Sequence, residues 1–139
     1  MIKQLSVFVD NRPGSLSEIT DNLKEAKVDI RAIASFDTPE FAILRLIVDK
    51  PEEAKEFLAD KGFIVKISDA IGVELTDETG SLNNLLSFLA EADINLNYIY
   101  TFIYRNRKAP VLVFGTDEID SAIKTLKDAG EVLVDHSEL

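Results

Sequence analysis

Apolar residues recur along this chain with two different periods. "KQLSVFV" and "FAILRLIV" are rich in β-branched and aromatic residues, the second as a nearly continuous apolar run, and both read as strands. Between them Leu16, Ile19, Leu23 and Ala26 recur at helical spacing, and further on Leu82, Leu85, Leu86, Leu89 and Ala92 do the same. Two more helices are predicted, with Asp49 and Asp117 as N-caps and with Gly62 and Gly130 just past their ends.

The whole pattern occurs twice. "NRPGSLSEITDNLKEAKVDIRAIASF" lines up with "DETGSLNNLLSFLAEADINLNYIYTF", placing Gly14 over Gly80, Leu16 over Leu82, Leu23 over Leu89 and Phe36 over Phe102. "DKPEEAKEFLADKGFIV" then lines up with "DEIDSAIKTLKDAGEVL", placing Ala54 over Ala122 and Gly62 over Gly130. The second copy carries two more residues between Phe102 and Asp117, a length change that a hairpin tip absorbs. Each copy reads strand, helix, strand, strand, helix, strand, so residues 1–70 and 71–139 are expected to be two ferredoxin-like βαββαβ repeats of an α+β protein, with helices on one sheet face. In "INLNYIYTFIY", Leu96, Tyr98, Tyr100 and Phe102 share one strand face and Ile99 and Ile103 the other, so neither is built for water. That pattern predicts a homodimer through sheet faces; the alternative is that the tyrosine hydroxyls reach solvent from a partly exposed face.

Charge and composition narrow the function. A net charge of −10 over 139 residues disfavours nucleic acid and anionic membranes as partners. The chain has no Cys, which removes disulfides and Cys-based metal or nucleophile chemistry, and no apolar run of membrane-spanning length. "MIKQLSVFVD" lacks the features of a signal peptide, so a cytoplasmic location is expected. The only His, His136, lies three residues from the last position, a poor place to hold a catalytic base, and G-x-S-x-G is absent. Most carboxylates alternate with Lys24, Lys27, Lys55 and Lys61 on helix surfaces and read as solvated faces. The basic cluster "RNRK" at 105–108 reads as a solubilising hairpin tip or a contact for an acidic partner. No catalytic residue, metal or cofactor is predicted.

Two turns remain, "NRPGSL" and "ETGSL". Gly14 and Gly80 allow positive φ and a close approach to the backbone. Ser15 and Ser81 are expected to cap the following helices, with Ser15 and Glu18 as an S-x-x-E capping box. The N–H groups of Gly14, Leu16 and Ser17 would then face outward at the positive end of the helix dipole, a carboxylate clamp in prospect. A Pro-Gly turn between strand and helix also occurs in proteins that bind nothing, so the turn alone leaves both readings open.

"NRPGSLSEITDNLKEAKVDIRAI" resembles the opening of an ACT domain, the small amino-acid-sensing regulatory module, and especially the serine-binding regulatory domain of phosphoglycerate dehydrogenases. The resemblance extends over nearly the entire chain and implies a tandem ACT protein, its units side by side in one eight-stranded antiparallel sheet, that binds a free amino acid where they meet and regulates a metabolic enzyme. Carried onto this sequence, it implies a first site from the turn Asn11, Arg12, Pro13, Gly14, Ser15 and Leu16 with Asn95 and Leu96 of the other repeat. A reciprocal site would use Glu78, Thr79, Gly80, Ser81 and Leu82 with Asp29 and Ile30. There the turn brings the carboxylate of Glu78 and the strand start that of Asp29 in place of Asn amides, so that site is empty, differently oriented or tuned to another ligand. Val9 stands where the dehydrogenase domain has a His, so serine is not implied. Two competing readings are an interaction module without ligand and an acylphosphatase-like hydrolase in which Arg12 would hold phosphate.

Overall fold

The computed structural model describes residues 1–104 and 107–139. The first repeat runs β1 (Ile2–Asp10), α1 (Ser15–Glu25), β2 (Ile30–Asp37), β3 (Phe41–Val48), α2 (Pro51–Asp60) and β4 (Ile64–Glu74). The second continues from β4 into α3 (Ser81–Glu91), β5 (Tyr98–Phe102), β6 (Val111–Gly115), α4 (Ile119–Asp128), β7 (Leu133–Val134) and a 3₁₀ turn at His136–Glu138. Both repeats are βαββαβ, yet the antiparallel sheet has seven strands where eight were expected. The last strand of the first repeat and the first of the second are one uninterrupted strand, β4. "IVKISDAIGVE" holds no proline or turn dipeptide to break it, and its core residues Val65, Ile67, Ile71 and Val73 keep one phase along it.

The chain divides into two compact units, Lys3–Ser68 and Met1–Ile2 with Asp69–Leu139. In the first, neighbouring strands follow the ferredoxin order β2-β3-β1-β4. The register pairs Leu5 with Leu46, Val7 with Leu44 and Val9 with Ala42, so one pleat face of β1 and β3 is apolar throughout. Ile19 and Leu23 of α1 and Ala54 and Leu58 of α2 close over that face in a single core. Each fully buried Leu or Ile contributes about 1.5–3 kcal/mol from leaving water. The predicted N-cap Asp49 does other work. α2 starts behind Lys50 with Pro51 in its first turn, where the missing proline N–H costs nothing. The Asp49 carboxylate instead accepts the Asp29 N–H at 2.9 Å.

The second unit repeats the order as β7-β4-β6-β5. Ile71 lies opposite Phe114 and Val73 opposite Leu112, and Leu85, Leu89, Ala122 and Leu126 of α3 and α4 cover them. On the far face Tyr98, Tyr100 and Phe102 pair with Gly115, Val113 and Val111. Leu96, expected on that face, precedes the strand and packs into the helix-side core. The Tyr98 ring lies directly over Gly115, where a Cβ would sit 2.2 Å from its Cε1, and stacks on Tyr100 with ring centroids 6.4 Å apart. Within "RNRK", Arg105 and Asn106 lie outside the described residues. Arg107 is no solubilising tip: its guanidinium pairs with Glu74 of β4 and, at 2.5 Å, with Glu138.

Candidate functional site

β1 ends at Asp10 and α1 begins at Ser15, so the reversal between them is completed by Asn11, Arg12, Pro13 and Gly14. The Arg12 N–H donates to the Asp10 carbonyl at 3.0 Å and the Ser15 N–H to the Arg12 carbonyl at 3.3 Å, which tightens the bend. Gly14 is the N-cap with φ of 87°. Nothing lies within 4 Å of where its Cβ would be, so the demand for glycine here is one of backbone conformation alone. Its carbonyl takes the first helical bond, from Glu18 N–H at 3.0 Å.

This placement overturns the expected capping box. With Gly14 as N-cap, Ser15 is already helical, and its side chain points away from the N–H groups it was expected to hold. The Ser15 hydroxyl is buried without a partner, and the Glu18 carboxylate faces Arg12 at 3.6 Å instead. The N–H groups of Gly14, Leu16 and Ser17 meet no acceptor among the described residues. Asn11 is held from both ends within its own repeat: its backbone N–H donates to Glu40 at 3.2 Å, and its side-chain Nδ2 to the Thr38 carbonyl at 2.9 Å. The turn is thereby laced to the β2–β3 hairpin, with the Asn11 Oδ1 still able to accept.

The second turn follows the same backbone plan. Gly80 is the N-cap with φ of 89°, Ser81 N–H donates to Glu78 at 3.2 Å and Asn84 N–H to Gly80 at 2.9 Å. One side chain differs. The Ser81 hydroxyl donates to the Thr76 carbonyl at 2.9 Å, whereas the matching carbonyl in the first repeat, that of Asp10, is occupied by the Arg12 N–H. Glu78, Thr79 and Leu82 are exposed around it.

The two starts of the middle strands also differ. Asn95 is exposed; its side-chain Nδ2 reaches Asn97 Oδ1 at 3.4 Å, and its carbonyl accepts the Thr116 hydroxyl at 2.8 Å. Leu96 beside it is half-buried in the core. In the other repeat the Asp29 carboxylate is paired with Arg31, and Ile30 packs against the first core. The charge expected of Asp29 is therefore neutralised locally. The structure thus groups the predicted residues into two turns, Asn11–Leu16 and Glu78–Leu82, and two strand starts, Asn95–Leu96 and Asp29–Ile30.

Sequence reasoning passed over an open cavity of about 540 Å³ beside the first turn. It takes Asp10, Arg12 and Glu18 from the turn and α1, and adds Phe41 and Lys61, residues with no motif around them. Among the described residues no cluster of His, Asp and Glu is arranged to hold a metal ion, and no helix is long and apolar enough to cross a membrane.

A family model described as an ACT domain pair matches residues 1–137. Among solved structures, protein BT0572 from Bacteroides thetaiotaomicron is 32% identical with a TM-score of 0.87, over 96% of this chain and 91% of its own. The ligand-free regulatory subunit of aspartate kinase from Thermus thermophilus shares the fold at a TM-score of 0.63 and 17% identity, over 91% of both chains. A structure of aspartokinase α and β subunits does so at 0.59 and 19%, over 91% of this chain and 87% of its own. No curated protein matches the chain.

Proposed function

Since the chain belongs to the ACT-domain family as a tandem pair, we propose that it is a non-catalytic regulatory module. In this reading it binds a free amino acid in the cytoplasm and signals its level to an enzyme or regulator of amino-acid metabolism. The observation that carries the reading is the first turn. There the N–H groups of Gly14, Leu16 and Ser17 are open, and a buried Ser15 hydroxyl has no partner. Three open backbone donors at the positive end of a helix suit an α-carboxylate, which the dipole alone favours by about 0.3–1 kcal/mol. The Arg12 guanidinium adds a full positive charge to the same turn, its two carboxylate neighbours standing off at 3.9 and 3.6 Å.

The Asn11–Leu16 turn is the proposed primary element, with Asn95 and Leu96 as the strand start that the family resemblance assigns to binding. The Glu78–Leu82 turn and Asp29–Ile30 form a weaker candidate, because Glu78 brings negative charge to the place where Arg12 stands in the first repeat. Metabolite sensing needs only micromolar to millimolar affinity, about −8 to −4 kcal/mol. Thermal unfolding in the presence of each of the twenty amino acids tests the reading. A ligand at about 100 times its Kd stabilises the folded chain by about 2.7 kcal/mol, a readily measured rise in Tm. Asn11→Ala, which unlaces the turn, is expected to weaken binding by about 1–3 kcal/mol. No rise in Tm with any of the twenty overturns the proposal.

A further inference from the structure

The cavity beside the first turn combines apolar, cationic and anionic lining. Its apolar lining comes from Phe8, Phe41, Phe63 and Ile64. Phe8, Phe41 and Ile64 are 41%, 43% and 69% exposed, so this end of the sheet presents aromatic and aliphatic surface to water. Its cations are Arg12 and Lys61. Arg12 stands at ion-pair range from Asp10 and Glu18 but beyond hydrogen-bonding distance, at 3.9 and 3.6 Å. The Lys61 ammonium lies 5.3 Å from the centroid of the Phe57 ring. Its anions are Asp10 and Glu18, which line the same space. Opposite charges are thus held close without satisfying one another, an arrangement that a zwitterion completes.

The internal repeat supplies a control within the same molecule. The corresponding cavity of the second unit has a volume of about 90 Å³. Thr76, Glu78, Asn84 and Glu131 line it, at the positions of Asp10, Arg12, Glu18 and Phe63. Every one of those replacements removes a cation, an aromatic ring or a balancing charge, and the volume falls below that of a drug- or metabolite-sized pocket, roughly 300–1,000 Å³. The same fold position is therefore a roomy charged-aromatic cavity in one repeat and a small acidic notch in the other.

We propose that the cavity of the first repeat selects an amino acid with a large apolar side chain, aromatic or branched aliphatic. This rests on the reading of the chain as an amino-acid sensor and names the ligand class for its first turn. The side chain lies against Phe8, Phe41 and Phe63. The α-carboxylate faces Arg12 and Lys61 at the turn, and the α-ammonium faces Asp10 and Glu18. Lys61 and Phe41 become specificity residues lying outside the Asn11–Leu16 turn.

Calorimetric titration of the full chain with L-phenylalanine, L-leucine, L-alanine and glycine tests this. Phenylalanine or leucine is expected to bind at least tenfold more tightly than glycine or alanine. Lys61→Ala and Phe41→Ala, both at exposed side chains, are each expected to lower that affinity at least fivefold. Circular dichroism checks that both variants fold, and Glu131→Ala in the second repeat serves as the unaffected control. Equal affinity for all four ligands, or unchanged affinity in both cavity variants, overturns the cavity assignment while leaving the sensor reading intact. No binding by any of the twenty amino acids overturns the sensor reading and this inference with it.

Discussion

Replacing Gly115 by alanine is expected to destabilise the second repeat, against the direction that backbone preference alone dictates. A glycine within a strand is worse than alanine by about 0.5–1 kcal/mol, so alanine at an unconstrained site stabilises. At Gly115 the new Cβ would stand 2.2 Å from Cε1, 2.4 Å from Cζ and 2.7 Å from the hydroxyl of Tyr98. Carbon atoms rest at about 3.5–4.0 Å from one another, so the ring must move by more than about 1 Å or the β5–β6 ladder must open. Swinging the ring away gives up its stacking on Tyr100, which lies at an interplanar angle of 19°. Overpacking of this kind costs about 1–3 kcal/mol, which exceeds the backbone gain. Tyr98→Ala removes the obstacle. In the Tyr98→Ala background the second substitution is then expected to be neutral or stabilising, giving a coupling of about 1–2 kcal/mol between the sites. Urea unfolding followed by far-UV circular dichroism on the four proteins of the cycle measures it. Additivity within about 0.5 kcal/mol, or a Gly115→Ala variant as stable as the parent, would refute the close packing of Tyr98 on Gly115.

Ser15→Ala is expected to leave stability within about 0.5 kcal/mol, since its hydroxyl has no partner to lose, whereas Ser81→Ala costs about 0.5–1.5 kcal/mol with the loss of its bond to Thr76; denaturant midpoints of the two variants check the contrast. Arg107→Ala leaves the Glu74 and Glu138 carboxylates without their shared cation and is expected to cost about 1–2 kcal/mol, with Arg107→Lys restoring less than half because a compact ammonium does not reproduce the planar fork that reaches both. The Asp135 carboxyl is held well below the usual carboxylate range, first by the hydrogen bond from the Met1 ammonium and then by the Ser137 hydroxyl and N–H. A depressed folded-state pKa contributes stability above the unfolded value of about 3.9 and loses it as pH falls below that. Thermal unfolding from pH 7 to pH 2 is therefore expected to show a decline below about pH 4 that is shallower in Asp135→Asn.

The repeat and its two turn glycines were legible because a residue forced to positive φ leaves a mark in the sequence, and Gly14 and Gly80 both take that conformation. The helix start was misread for a related reason. Gly14 occupies the N-cap itself, and a glycine cap has no side-chain oxygen to announce it, while Ser15 and Glu18 imitate a capping box one residue further on. The strand count failed because two copies of a pattern suggest two complete sets of strands, and no turn residues mark where β4 passes from one to the other. The cavity was hidden by sequence distance. Phe8 lies in β1, Phe41 in β3 and Lys61 just past α2, and the antiparallel register that sets Asp10 opposite Phe41 is what brings two of those segments to one end of the sheet. The Asn11 side chain likewise finds Thr38 only because the β2–β3 hairpin folds back beside the turn.

A strand common to two repeats also restricts how the chain can vary in length. Val65 and Ile67 pack against the first core, while Ile71 and Val73 belong to the second, and all four fall on odd positions of one continuous pleat. Inserting or deleting a single residue near Ser68 would turn Ile71 and Val73 outward and bring Ala70 and Gly72 in, emptying the second core while the first stays filled. A change of two residues preserves the phase. The joint between the repeats therefore behaves as a reading frame with a step of two, and natural or engineered length variants of this protein should cross it only in even numbers.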